Sequence, residues 1–256
     1  MKNILCVKWG DKYDSYVDKL KQQVENNCSY DFNFYCLTDN PQKEYDILLP
    51  THWDKYFNSN RNFFWAYRKC YMFDESLFPE IHGNEFLFFD LDILIHNSID
   101  SFFKLEMSKP WIVKGWWNNI ETCIKNYGKG ISPVTNSSVI RWNRGQLRHI
   151  YNHILDNSEF VFFTYKSIDN YINRHWYNIL EDQSETFNVF EEGLIYSWYK
   201  GNVYPSDMEI KKLRKDHVIC LFNNSSETGE HMYEIQEIKN LWWRQNHWHV
   251  GLIVSQ

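Results

Sequence analysis

Several things are scarce in this sequence, and each shortage removes a class of protein. There are six cysteines, at positions 6, 28, 36, 70, 123 and 220. No two stand as C-x-x-C and no His-rich spacing accompanies them, which argues against a zinc knuckle. Cys6, Cys36 and Cys220 sit inside apolar runs, where a free thiol behaves as a small hydrophobe; a reduced cytoplasm is the expected compartment. No apolar run approaches the roughly 18 residues that a membrane span needs. The opening Met1–Gly10 is too short and too soon interrupted for a signal peptide. Positive charge is also short, with 27 Lys+Arg against 33 Asp+Glu and a formal net charge of −6. Duplex nucleic acid requires a clustered cationic footprint, so it is not an expected partner. The local group Lys211, Lys212, Arg214 and Lys215 reads as a solvated face rather than a phosphate or lipid contact. Internal repeats, low-complexity stretches and convincing linkers are absent too, so one domain over residues 1–256 is expected.

What the chain has in excess is aromatic side chains, at 18% of residues with 12 Trp. Flat rings stack on sugar faces and bases, and they also fill cores. The 43% of apolar residues supports a sizeable core and excludes a wholly disordered chain.

Periodicity then gives an order of elements. Asn3–Lys8 reads as a buried strand, and apolar residues at Tyr13, Tyr16, Val17, Leu20 and Val24 fall at helical spacing. A strand over Phe32–Leu37 ends in the turn signal Thr38-Asp39-Asn40-Pro41, and Ile47–Leu49 is a third strand closed by Pro50. Strand–helix–strand is how a parallel nucleotide-binding sheet begins. Phe63–Phe73 reads as a partly buried helix. Further strands are expected at Trp111–Lys114, Ser138–Trp142 and Val218–Phe222, with helices at Arg144–Leu155 and Ile168–His175 and a loop over Gly115–Gly130. The aromatic tail from Leu241 to Trp248 is expected to pack back on the sheet.

The most informative segment is Glu85–Ile95, EFLFFDLDILI. A run apolar on both faces marks a central strand, and two carboxylates, Asp90 and Asp92, appear where it would end. Ligand sites of open α/β sheets lie at the carboxyl ends of strands. Positions two apart point to the same side of a strand, so the two anions would repel, and one would take up a proton unless a cation were shared. Mg²⁺ or Mn²⁺ suits such oxygen ligands and is commonly completed by substrate phosphates. A solvated turn is the bland alternative. Phe-Asp-Leu-Asp also opens the phosphatase motif of the haloacid-dehalogenase class, with a nucleophilic first Asp. That class, however, places the motif near the N-terminus, follows it with Gly-Thr and adds a later Gly-Asp-x-x-x-Asp, all missing here. A non-enzymatic glycan-binding module is the other alternative, but such domains are usually all-β.

Taken in order, the segments resemble the family 8-like glycosyltransferases and their small viral and bacterial relatives. Val7-Lys8-Trp9-Gly10-Asp11-Lys12-Tyr13 looks like the first strand and nucleotide-contacting loop, and Cys36-Leu37-Thr38-Asp39 like the strand that ends beside base and ribose. Arg68-Lys69 lies where the family keeps a basic residue for the donor. Phe88–Asp92 is similar to the D-x-D strand, Asn136-Ser137-Ser138-Val139 to the segment beside the donor sugar, and Ile168-Asp169-Asn170-Tyr171 to an Asp-Gln segment. Glu192–Lys200 resembles the following strand, and Val218–Asn224 the closing Phe-His-Gly or Phe-Asn-Gly segment. The match spans residues 3–224.

The resemblance implies a single GT-A (Rossmann-like) α/β domain: a mixed, mainly parallel sheet flanked by helices. A nucleotide-binding half would cover about residues 1–95 and a donor-sugar and acceptor half about 96–256. It implies transfer of a sugar from a nucleotide diphosphate sugar, with UDP as the family habit, to a glycan or other hydroxyl acceptor. The donor would contact Lys8, Trp9, Gly10, Tyr13, Thr38, Asp39, Arg68, Lys69, Asp90, Leu91, Asp92 and Ser137. Asp90, Asp92 and Asn223 would hold Mn²⁺ or Mg²⁺, Asn223 standing where a His often completes the site. Asn136 and Asp169 would act at the sugar or acceptor; Asp169 is alternatively a helix N-terminal charge. Trp116 and Trp117 offer the acceptor a stacking platform, unless one of the two is core.

Overall fold

The computed structural model describes residues 1–11, 13–57, 64–126, 134–199, 211–222 and 231–247. Alternation along the strands decides which side chains enter which half of the core. In β1 (Lys2–Lys8), Ile4 and Cys6 face one cluster while Leu5 and Val7 face another. After helix α1 (Asp14–Asn27), β2 (Phe32–Thr38) divides the same way, with Phe34 and Cys36 on one side and Tyr35 and Leu37 on the other. A sheet apolar on both faces has to be covered on both faces. Tyr16, Val17, Leu20 and Val24 of α1 cover one, as the helical spacing requires.

The chain continues through β3 (Asp46–Leu48), the short helix α2 (Asp54–Phe57) and a long 3₁₀ helix over Phe64–Phe73, the form taken by the expected helix there. Strand β4 (Glu85–Phe89) follows, then β5 (Ile93–Ile95), helix α3 (Asp100–Phe103), β6 (Trp111–Lys114) and α4 (Ile120–Asn126). Strand β7 (Thr135–Asn143) is longer than the pattern suggested and leads into α5 (Arg148–Asp156), α6 (Ser158–Thr164) and α7 (Ile168–His175). Short strands β8 (Asn188–Val189), β9 (Ile195–Ser197) and β10 (Ile219–Leu221) precede a last described helix, Gln236–His247. Ile238 of that helix is buried in the core and Leu241, the first residue of the aromatic tail, packs against it; the side chains of residues 243–247 and all of Trp248 lie outside the described residues.

Seven strands pair in the order β3-β2-β1-β4-β7-β6-β8, and three more in the order β5-β10-β9. The β3–β2, β2–β1, β1–β4 and β6–β8 pairs are parallel, while β7 runs antiparallel to both β4 and β6. This is the mixed, mainly parallel α/β sheet that was expected. Two corrections concern local structure. The segment Glu85–Ile95 is two strands in two different sheets rather than one central strand, and residues 90–92 form the bend between them. The stretch read as a loop from Gly115 holds the helix α4, with residues 127–133 outside the described set.

The three-stranded sheet and α1 share one side of the large sheet, where Ile93, Leu94 and Ile95 join the α1 cluster. Gln23 of α1 is buried but satisfied: its Oε1 accepts the Ile95 N–H at 2.6 Å and its Nε2 donates to the Tyr233 hydroxyl at 2.6 Å. The 3₁₀ helix, α5, α6 and α7 cover the other side through Tyr67, Tyr71, Ile150, Phe162 and Ile172. Phe88 of β4 is fully buried in that half. Phe88→Ala should lower unfolding stability by about 3–5 kcal/mol, the usual range for a fully buried aromatic, read as a drop in the urea midpoint with an unchanged m-value.

Candidate active site at the strand ends

Strand direction gathers the candidate residues at one edge of the large sheet. Strands β1, β2 and β4 are parallel, so Lys8, Thr38 and Phe89 end at the same edge. Because β7 is antiparallel to β4, it begins there: Phe89 pairs with Val139, and the Asp90 N–H donates to the Ser138 carbonyl at 2.9 Å. Strand β6 ends there too, with Lys114 opposite Thr135. The edge thus carries Trp9-Gly10, Asp39, Asp90–Asp92, Trp116 and Asn136–Ser138.

Two groups of polar contacts occupy it. At the β1–β2 end, Gly10 takes φ of +63°, where a Cβ is unfavourable. Its N–H donates to both Asp39 carboxylate oxygens, at 3.1 and 2.9 Å. The exposed Asp39 is therefore held in place, beside half-buried Trp9 and Tyr13. Two neighbours are less available to a ligand than expected. Thr38 is buried and its hydroxyl accepts the Asn40 N–H at 3.3 Å. Lys8 is buried at the strand end and ion-paired to Asp14, a partner the sequence did not suggest. Attraction to Asp14 and Asp39 outweighs the opposing effect of burial and raises the Lys8 pKa.

The second group surrounds Lys69. Its ammonium donates to Asp90 Oδ2 at 2.6 Å, with the Ser137 hydroxyl at 3.5 Å. Ser137 is buried, and its N–H donates to Asp169 Oδ1 at 2.8 Å. Asn136 Nδ2 donates to Asp169 Oδ2 at 3.4 Å, while its Oδ1 accepts the Ser138 N–H at 3.0 Å. Asp169 does lie in the first turn of α7, but the N-cap is Ser167, which accepts the Asn170 N–H at 3.3 Å. The Asp169 carboxylate instead ties α7 to the start of β7. Of the two candidate cations, Lys69 enters the cluster and Arg68 turns away, its guanidinium 5.1 Å from the Phe57 ring centre.

Charge in this cluster does not balance. Lys69 feels Asp90, Asp169 and Asp92, three carboxylates against one ammonium. Leu91 is buried in the core while Asp90 and Asp92 on either side stay half-buried. Asp90 has the ammonium. Burial and then the Asp90 charge push Asp92 up to about 7, opposed by Lys69 and its own backbone N–H. Burial likewise raises Asp169. For Lys69, attraction to Asp90 and Asp169 overcomes the burial that would lower it. An excess of negative charge in a poorly hydrated place costs stability, which marks the cluster as a candidate functional site. Among the described residues, no three His, Cys, Asp or Glu side chains gather as a metal site. Asn223 lies outside the described residues, although the Phe222 N–H before it donates to the Asp92 carbonyl at 3.0 Å.

The two tryptophans part company. Trp117 is 5% exposed and packs in the core, which leaves Trp116 as the half-buried ring at this edge. The Trp116 indole N–H donates to the Phe190 carbonyl at 3.2 Å and the Lys114 ammonium lies 4.5 Å from its ring.

Solved structures share this architecture. An active-site variant of LgtC superposes with a TM-score of 0.62 at 13% identity, covering 93% of this chain and 95% of that one. The galactosyltransferase LgtC in complex with donor and acceptor sugar analogues gives 0.59 at 11% identity, with 94% and 95% covered. A glycosyltransferase involved in glycosylation of the major capsid of PBCV-1 gives 0.54 at 14% identity, with 91% and 98% covered. The fold is GT-A. At such identities the likeness fixes the fold alone, and no family model and no curated protein matches the sequence. Within the GT-A fold, the bend Asp90–Asp92 occupies the junction of the large and small sheets.

The raised Asp92 pKa has a consequence for stability. A carboxylate whose folded pKa lies above its unfolded value binds its proton more tightly when folded. The stability it contributes is complete below the unfolded value near 3.8 and is lost as pH rises to about 7. In chelator-treated protein, Asp92→Asn should therefore raise the melting temperature at pH 8 relative to the parent chain and leave it nearly unchanged at pH 4.

Proposed function

We propose that this chain is a glycosyltransferase that moves a sugar from a nucleotide diphosphate sugar to a glycan or other hydroxyl acceptor, with a divalent cation at Asp90 and Asp92. The observation that carries the reading is the charge deficit around Lys69, located at the bend between the two sheets of a GT-A fold. Two carboxylates make an incomplete donor set of hard oxygens. This suits Mn²⁺ or Mg²⁺, which take one or two protein carboxylates and complete their shells with phosphate oxygens and water. The residues present fit such an ion. Asp92, which has no ion pair among the described residues, is its first ligand, and Asp90 is the second, shared with Lys69. The bound cation would supply Lewis-acid stabilisation of the diphosphate as it leaves.

The side chains have separate tasks in this scheme. Lys69 holds Asp90 and adds positive charge on the leaving-group side, where fixed charge is most effective in transfer. Asp39, pinned by the Gly10 N–H, receives the ribose hydroxyls, with Trp9 and Tyr13 beside the base. Uridine is the expected base, by resemblance. Asp169 and Asn136 present an oriented carboxylate and amide to the hydroxyls of the donor sugar or of the acceptor; fixed polar partners of this kind are what make hydroxyl recognition selective. Trp116 is the ring left for acceptor stacking.

Lys69→Met should lower kcat/KM for sugar transfer by about 100-fold or more, in line with the loss of one preorganised charged donor, while the folded state persists in circular dichroism. Thermal shift with Mn²⁺, UDP, both together, and Mn²⁺ with GDP tests donor and metal at once, because a ligand specific to the native state must stabilise it. The expected rise appears with Mn²⁺ and UDP together and is lost in Asp92→Asn. No rise with either nucleotide diphosphate would sink the transferase reading in favour of a glycan-binding module.

A further inference from the structure

Away from the strand edge, helices α5 and α7 bring imidazoles together on the surface. His153 of α5 and His175, in the last turn of α7, have ring centroids 4.9 Å apart with planes inclined at 53°. Two histidines bound to one tetrahedral metal at ~2.0–2.1 Å per Zn–N bond have ring centres on the order of 5 Å apart. The His153 Nδ1 has the Tyr171 hydroxyl at 2.9 Å, and among the described residues no hydrogen bond engages its Nε2. A metal-ligating histidine is typically fixed in this way through its other nitrogen. Tyr171 is fully buried, so its hydroxyl is a rigid anchor for the ring. His175 is exposed, so its ring is open to an incoming ion. The rings of Tyr165 at 5.2 Å and Trp176 at 6.2 Å wall it. His149, one turn earlier on α5, packs against Trp176 at 5.0 Å and bonds the Gln146 backbone instead of joining the pair.

We propose that His153 and His175 form a two-imidazole site for a transition-metal dication of the Zn²⁺, Ni²⁺ or Cu²⁺ class, bridging α5 and α7. Imidazole nitrogens select these borderline ions, whereas the carboxylates Asp90 and Asp92 suit Mg²⁺ and Mn²⁺, so the two sites divide the available cations by chemistry. Water completes the shell, since among the described residues no third His, Cys, Asp or Glu joins the pair. The bridge also has a structural effect. Helix α7 carries Asp169 in its first turn and His175 in its last, roughly 9 Å along the axis at 1.5 Å per residue. A metal clamp on the far end fixes the helix that presents Asp169 to β7.

The inference is independent of the transferase reading and is tested without nucleotide or sugar. Untagged full-length protein, stripped with chelator and dialysed, is titrated with Zn²⁺ by calorimetry at pH 7.5 and with Cu²⁺ by electron paramagnetic resonance. One saturable Zn²⁺ per chain is expected, with a Cu²⁺ spectrum showing coupling to two imidazole nitrogens. His153→Ala and His175→Ala should each weaken Zn²⁺ at least about 10-fold, and Tyr171→Phe about 10-fold, as for loss of an outer-shell partner. His149→Ala should bind as the parent does, and near-ultraviolet circular dichroism confirms that every variant is folded. Uptake equal in the parent and the His153→Ala/His175→Ala double variant, or a loss confined to His149→Ala, would overturn the assignment.

Discussion

Three carboxylates share one ammonium at the end of β4, and much of the molecule is arranged to keep them together. Left to themselves, Asp90, Asp92 and Asp169 would move apart into water, where like charges interact by only about 1 kcal/mol at 4 Å. They stay because each is anchored through backbone groups as well as by the shared Lys69 charge. The Asp90 N–H is bound to the Ser138 carbonyl, the Asp92 carbonyl receives the Phe222 N–H, and Asp169 is held by the Ser137 N–H. The covalent and hydrogen-bonded frame thus imposes a charge arrangement that side chains alone would not adopt. Such preorganised charge is the raw material of electrostatic catalysis, since no reorganisation is needed when a complementary charge arrives.

Topology supplies that frame. A purely parallel sheet would bring only strand C-termini to the edge. The reversed strand β7 adds its own start, and with it Asn136, Ser137 and Ser138. The chain then changes sheets at residues 90–92, because β4 pairs with β1 and β7 while β5 pairs with β10. At this bend the backbone stays tied to both sides, through Ser138 and Phe222, and it is there that two acidic side chains stay half-buried between buried neighbours. The opposite end of β4 is closed by ordinary means. Fully buried Arg141 pairs with Glu85 at 2.6 Å, and burial lowers its pKa to about 10 against the pull of that carboxylate.

How much of this was legible depended on whether the signal was local. Strands β1, β2 and β4 were readable because burial on both faces leaves uninterrupted apolar runs, and α1 because one buried face leaves a 3.6-residue period. The Asp-Leu-Asp motif was readable for the same reason, as two charges amid residues that exclude water. Local pattern could not show that Glu85–Ile95 divides between two sheets, since a buried residue looks alike in either. Helices α4 and α6 escaped notice: the first follows Trp, Asn and Gly that read as loop, and the second, Ser158–Thr164, is dominated by Phe with no clean period. Among site residues, adjacency hid the choice between Arg68 and Lys69, because only the path of the 3₁₀ helix decides which faces Asp90. Lys8 looked like a free cation until Asp14, six residues on, proved to be its partner. Trp116 and Trp117 were inseparable by sequence for the same reason, and packing assigned one to the core.

On the proposed reading, the negative charge at Asp90 and Asp92 is there for a divalent cation. Counting free Mn²⁺ by electron paramagnetic resonance, in chelator-cleared protein with UDP present, tests it most directly. One Mn²⁺ should be withdrawn per chain in the parent protein and none in the Asp92→Asn variant. Undiminished free Mn²⁺ with the parent chain, or equal uptake by Asp92→Asn, would contradict the account.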